Sequence, residues 1–222
     1  MSKRGIIVAA ALAWMTPSIA LAVMAGGPHD LSATGPATAK SAETQICVFC
    51  HVPHNGSPAV ARPLWNHAAT TQTLTWANKT QRGTTMPTDY TTNALAGSRG
   101  CMDCHDGTVA LGALVKAPLA GTPTVAGTHV GAGGKLTAAL SGVNYINPGA
   151  METNHPIGVK EPAVVAGFTT FVPTASITGA VNYDANGFVQ CGSCHNPHDD
   201  SNTYFLTISN AGSAICVKCH NL

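Results

Sequence analysis

The sequence predicts a mostly irregular, loop-rich fold with short helices and a small β-hairpin or meander, on three observations. The 222-residue chain is poor in ordinary core material, with 5% aromatic and 9% charged residues and with 23 glycines and 14 prolines interrupting it throughout. No stretch sustains a helical or strand period for long. The eight cysteines fall into four copies of Cys-x-x-Cys-His, at Cys47-Val48-Phe49-Cys50-His51, Cys101-Met102-Asp103-Cys104-His105, Cys191-Gly192-Ser193-Cys194-His195 and Cys216-Val217-Lys218-Cys219-His220.

This is the pattern in which two cysteine thiols form thioethers with the vinyl groups of a haem and the next histidine takes the iron. Four disulfides, or zinc held by paired C-x-x-C, are the competing readings. Neither explains a histidine directly after each second cysteine. Four c-type haems (haem c, iron) are therefore the expected cofactors. A macrocycle that buries several hundred Å² supplies on the order of 10 kcal/mol before entropy is counted. The haem chain is accordingly expected to serve as the core.

Taken in order, residues 1–22 fit an export signal peptide: Met1-Ser2-Lys3-Arg4 is basic, Gly5 to Met15 is apolar, and small residues offer a cut after Ala22 or Ala25. The apolar stretch is short for a membrane span and nothing later resembles one, so no stable membrane insertion is expected after its removal. Export agrees with thioether attachment, which takes place outside the cytoplasm. Residues 23–222 have the length of a single domain. Removing Lys3 and Arg4 from eleven basic residues leaves nine against ten acidic ones, with no basic patch, which excludes nucleic acid as a partner.

Residues 26–46 read as an extended N-terminal arm, able to carry His29 outward. Loops and turns are expected from Pro63-Leu64-Trp65-Asn66-His67 to the Gly97-Ser98-Arg99-Gly100 turn, and a short strand or helix over Thr108 to Val115. The stretch 106–190 holds no motif. Its β-rich runs, Val164-Val165, Phe168 to Val172 and Ile177 to Val181, followed by Asp184-Ala185-Asn186-Gly187, suggest the hairpin or meander. A helix start is expected near Ser213, with serine as N-cap. A Cys-x-x-Cys-His-x-Pro-His site followed by a plain site occurs twice, at 47–105 and 191–220, as a repeated device within one domain.

His51, His105, His195 and His220 are the proximal iron ligands, which leaves His29, His54, His67, His129, His155 and His198 for four distal positions. That surplus predicts bis-histidine ligation. Met86, Met102 and Met151 are expected to fill gaps beside the rings. His54 and His198 each start on the same face as the proximal histidine three residues earlier, so each is expected to ligate a neighbouring haem. His155, ahead of Pro156, and His29 are further distal candidates. His67 is open between iron ligation and a hydrogen bond to a propionate. His129 is assigned to the surface.

Gly27-Pro28-His29-Asp30-Leu31-Ser32, Ile46 to Asn55, Pro63-Leu64-Trp65-Asn66, Cys101 to Val109, Asn154-His155-Pro156, Cys191 to His198, Phe205-Leu206 and Cys216 to His220 together resemble the tetrahaem c-type cytochromes whose members include subunits of extracellular cytochrome filaments. The resemblance implies a loop-rich fold wrapped round a continuous haem chain and a helical filament of identical subunits, in which one distal histidine crosses the subunit boundary. It makes His54 the leading donor in trans and His29 the second.

The expected function is electron transfer with no catalytic residues, to and from upstream and downstream redox proteins or extracellular acceptors. A monomeric periplasmic tetrahaem shuttle is the alternative within that class. A haem-based reductase of nitrite or hydroxylamine needs an open iron position and nearby acid/base groups. Histidines exceed irons here, no Cys-x-x-Cys-Lys variant occurs, and acids are sparse.

Overall fold

The computed structural model describes residues 24–58, 62–76, 80–81, 84–90, 92, 94–137, 146–147, 151, 154–161 and 171–221. The export signal expected over residues 1–22 lies outside them, as do the runs at Val164-Val165 and Phe168 to Thr170. Helix α1 spans Ala96–His105 and α2 spans Cys191–Cys194. Strands β1, Thr80–Gln81, and β2, Thr84–Thr85, form a two-residue antiparallel ladder. Turns, single bridges and 3₁₀ segments make up the rest of the described chain, as expected of a loop-rich fold. No helix among the described residues is long and apolar enough to cross a membrane.

Helix α1 replaces the turn expected at Gly97 to Gly100. Both glycines carry a helix-propensity penalty of about 1 kcal/mol, and close packing outweighs it. A Cβ on Gly100 would stand 3.3 Å from the Trp65 ring, and one on Gly97 would stand 2.7 Å from Gln190. Ser98, Met102 and Asp103 are fully buried on the same helix.

The segment before the first motif is folded rather than extended. The fully buried carboxylate of Asp30 accepts hydrogen bonds from Gly26 N–H (2.8 Å), Ser32 N–H (3.0 Å), Ser32 Oγ (2.5 Å) and Thr34 Oγ1 (3.0 Å). An Asp with Ser and Thr just after it satisfies the backbone locally, in place of a ladder. Lys40 then bridges to Ala126. The expected hairpin is also displaced: the ladder lies at residues 80–85, and the described residues 172–189 hold no strand. Only the turn is present there, closed by Asp184 N–H to Phe188 O at 2.9 Å and by the Asp184 side chain. Thr108 to Val115 forms turns and one bridge, Leu114 to His67. Ser213 caps no helix, because it sits in the left-handed region at φ 62° at the end of a 3₁₀ turn, Ala211–Ser213.

Two apolar clusters form among the buried side chains. Leu74, Trp76, Met86, Tyr90, Leu95, Met102, Met151 and Ile157 pack together, and Ala39, Phe49, Leu111 and Val125 make the second. Met86, Met102 and Met151 are all buried in the first of these clusters. Asp103 and Asp106, both fully buried, tie α1 to the chain after the first motif. Asp103 accepts from Trp65 Nε1 at 2.9 Å and Thr70 N–H at 2.8 Å, and Asp106 from the Thr70 hydroxyl and from Thr108 N–H at 2.8 Å.

Candidate haem sites

Each Cys-x-x-Cys-His is one turn of helix. The first, third and fourth are separate turns closed by the histidine N–H onto the first cysteine's carbonyl, His51 to Cys47 at 2.8 Å, His195 to Cys191 at 3.0 Å and His220 to Cys216 at 3.0 Å. The second is the end of α1. One turn brings both cysteines to the same side, and at His51, His195 and His220 the chain then enters a bridge, whereas Asp106 after His105 is still helical.

His51 and His195 are held by the same device. His51 pairs with Trp65 as an isolated bridge, and its ring Nδ1 meets the carbonyl of Pro63 at 3.0 Å. His195 pairs with Leu206, and its Nδ1 meets the carbonyl of Tyr204 at 2.8 Å. Non-glycine residues take left-handed backbone at both places, Leu64 at φ 52°, Tyr204 at 61° and Phe205 at 58°. Such residues cost on the order of 1–2 kcal/mol each, and here they turn a carbonyl toward a ring. An Nδ1–H donated to a carbonyl fixes the tautomer and leaves the Nε2 lone pair for a metal. The sequence shows the repeated motif, but nothing in it marks Pro63 and Tyr204 as partners.

Three motif histidines each face one other imidazole. His51 lies 6.0 Å from His198 with ring planes inclined by 20°, His105 lies 5.9 Å from His29 at 68°, and His220 lies 6.3 Å from His155 at 76°, all between ring centroids. Two metal–nitrogen bonds of about 2.0 Å plus the ring radii put trans imidazoles of one metal about 6.2 Å apart. The donor set therefore fits a haem iron between each pair. His29 also stacks on Phe205 at 4.3 Å and 12°. Burial, then the His105 ring, pushes its pKa down to about 4, so the ring is neutral at pH 7.

The remaining histidines differ. Among the described residues His195 has no ring contact with a second imidazole, and His54 is exposed. His67 is fully buried, with Nδ1 against Ala68 O at 2.9 Å and Nε2 enclosed without a hydrogen-bond partner among the described residues. His129 is half-buried rather than at the surface, its backbone N–H donating to Thr38 O at 2.9 Å.

The cysteines of successive motifs are neighbours. Burial and then Cys50 push the Cys104 thiol well up. Cys101 and Cys191 shift each other's proton affinity, Cys101 well up and Cys191 down to about 7. Burial and then Cys219 push Cys194 up to about 11.

Residues 185–221 match the family model of the doubled CXXCH motif. This segment is that of a multihaem c-type cytochrome, a protein type that carries c-type haems, transfers electrons and is matured outside the cytoplasm. No curated protein matches the chain.

Proposed function

We propose that the chain carries four c-type haems, each with its iron between two histidines, and passes electrons along them as the subunit of an extracellular filament. The observation that carries this reading is the set of three imidazole pairs at 5.9–6.3 Å, each joining one motif histidine to one from elsewhere in the chain. When bound, the haems supply reversible one-electron chemistry at iron, and no substrate is transformed.

The proximal ligands are His51, His105, His195 and His220, with Cys47, Cys50, Cys101, Cys104, Cys191, Cys194, Cys216 and Cys219 as attachment points. His198, His29 and His155 are the distal ligands opposite His51, His105 and His220. The neighbouring cysteines, Cys50 with Cys104, Cys101 with Cys191 and Cys194 with Cys219, support a spatial order of haems that follows the sequence. His67, which has no ring contact with a motif histidine among the described residues, is not assigned to an iron.

One iron, that on His195, then has no second imidazole among the described residues. His54 is exposed and is the remaining histidine of the Cys-x-x-Cys-His-x-Pro-His type. We assign it to the His195 iron of the next copy, which makes assembly and ligation one event. His29, turned inward against His105, is withdrawn as a donor in trans. The partners are identical subunits in a helical filament, with redox proteins or extracellular acceptors at its ends.

Haem quantitation, carbon monoxide titration and electron microscopy of purified material test the reading. Four haems per chain, filaments that bind no carbon monoxide, and dispersed subunits that bind one per chain are expected. Fewer than four haems, or carbon monoxide bound by intact filaments, sinks the bis-histidine assignment. Single-subunit particles alone, under conditions that preserve assemblies, sink the filament and leave a soluble carrier.

A further inference from the structure

One buried side chain joins the helices that carry the second and third motifs. Gln190 lies directly ahead of Cys191 and is only 4% exposed. Its Nε2 donates to Ala94 O and to Asp184 Oδ2, each at 2.8 Å, and its Oε1 accepts the Ser98 hydroxyl at 2.7 Å. Both amide hydrogens are thus used, on two separate segments, and the oxygen is used on α1. Ser98 Oγ in turn accepts the Cys191 backbone N–H at 3.0 Å. Ser98 stands three residues before Cys101 on α1, a spacing that makes two helical residues neighbours. The first cysteines of both motifs are therefore held at one serine, and Cys191 packs against the apolar cluster that contains Leu95 and Met102.

The joint leaves little slack. A Cβ on Gly97 would stand 2.7 Å from Gln190 Cγ, so it takes a glycine there to let the amide reach α1. Apolar faces tolerate a slide of one element along another, whereas a buried polar group with its partners satisfied specifies one arrangement.

We propose that Gln190 is a positioning residue for electron transfer between the second and third haems: by locking α2 onto α1 it sets the separation of the macrocycles attached at these two helices. The proposal rests on reading the motifs as haem sites. Each macrocycle is bonded to the cysteines of its own helical turn and its iron to the histidine that follows, so haem and turn move as one body. A slide of α2 along α1 is then a change in the gap an electron crosses, and tunnelling falls exponentially with that gap. The charge that oxidation leaves on one haem also opposes oxidation of its neighbour, an effect that weakens as the two move apart.

The test uses the full holoprotein and two readouts of haem separation, the exciton couplet in Soret circular dichroism and the spread of the steps in a redox titration. Gln190→Ala should keep the parent's haem content and carbon monoxide binding, lose couplet intensity and narrow the titration. Gly97→Ala leaves every hydrogen-bonding group in place but sets a methyl 2.7 Å from Gln190 Cγ, and should shift both readouts too. In the Gln190→Ala background that methyl meets no Cγ and should add nothing. If Gln190→Ala yields no holoprotein, Gln190→Met fills the same space without the polar contacts and serves in its place. A lower melting temperature alone, with couplet and titration unchanged, would reduce Gln190 to a structural residue and overturn the proposal. So would a Gly97→Ala effect of the same size with and without the Gln190 side chain. Fewer than four haems in the parent would instead overturn the reading of the motifs, whatever the variants show.

Discussion

His51 and His198 face each other at 6.0 Å with ring planes only 20° apart, although each follows a different Cys-x-x-Cys-His turn. The other two imidazole pairs are nearly perpendicular, at 68° and 76°. Parallel axial imidazoles split the iron π-orbitals of a low-spin ferric haem, while perpendicular ones leave them close in energy. Electron paramagnetic resonance of the oxidised protein should therefore show one ordinary rhombic low-spin signal from the His51 iron and two strongly anisotropic ones from the His105 and His220 irons. A spectrum in which every haem is rhombic would contradict these pairings.

Removing a distal ring separates ligation from attachment. In His198→Ala the thioethers and His51 remain, so haem content should be unchanged while about one quarter of the haem becomes high-spin and binds carbon monoxide on reduction. His29→Ala and His155→Ala should each do the same to a different haem. Loss of haem from the polypeptide in any of them would place that histidine in the folding of the site rather than on the metal.

Part of the arrangement was legible in the sequence. The four Cys-x-x-Cys-His motifs read directly, and His198, expected to reach away from His195, lies beside the ring of His51. The segment around Asp30 and the helix α1 were not legible, for opposite reasons. Asp30 folds its neighbourhood through side-chain to backbone hydrogen bonds that leave no hydrophobic period to read. Gly97 and Gly100 read as breakers because their local cost is visible, while the Gln190 and Trp65 contacts that offset it come from distant sequence. The displaced hairpin has a related cause: β-branched residues such as Ile177 and Val181 report a preference for a half-buried surface, not a pairing partner.

Asp103 holds α1 in place. Burial pushes its pKa up, against the hydrogen bonds it accepts from Thr70 and Trp65. Asp103→Ala strands both donors inside the protein, and should cost about 2–4 kcal/mol in thermal or denaturant unfolding. Trp65→Phe leaves only one carboxylate oxygen short of a donor and should lose less of the hydrogen-bond contribution. In a double-mutant cycle with Asp103→Ala, a coupling near zero would show that the carboxylate acts through Thr70 alone.

Tyr90 gives the opposite expectation. Its ring is buried in the larger apolar cluster, and its hydroxyl has no hydrogen-bond partner among the described residues. Tyr90→Phe should be neutral or stabilising by about 1 kcal/mol. Burial, then Asp106, raises the phenol's pKa above its ordinary 10.0. A folded-state pKa above the unfolded one means that the contribution is fully present below about pH 10 and is lost as pH rises beyond it. The variant should therefore lose less stability than the parent between pH 9 and 11, and parallel melting-temperature curves would rule out ionisation of this phenol as a cause.

The proposed assembly runs through His54. Within the chain its counterpart His198 reaches the ring of His51, and the two motifs share the same bridge and the same Nδ1-to-carbonyl anchor. Under the proposed assembly the same relation sends His54 to a His195 ring, and among the described residues no His195 contact to it is present. His54→Ala should therefore keep four thioether haems and the monomer's stability, because an exposed ring is removed, yet fail to form filaments. About one quarter of its haem should be high-spin and open to carbon monoxide, the haem on His195. The double variant His54→Ala/His195→Ala should show no further opening at any other haem. Filaments of normal length from His54→Ala, or a carbon monoxide site on a different haem, would break the link between ligation and assembly.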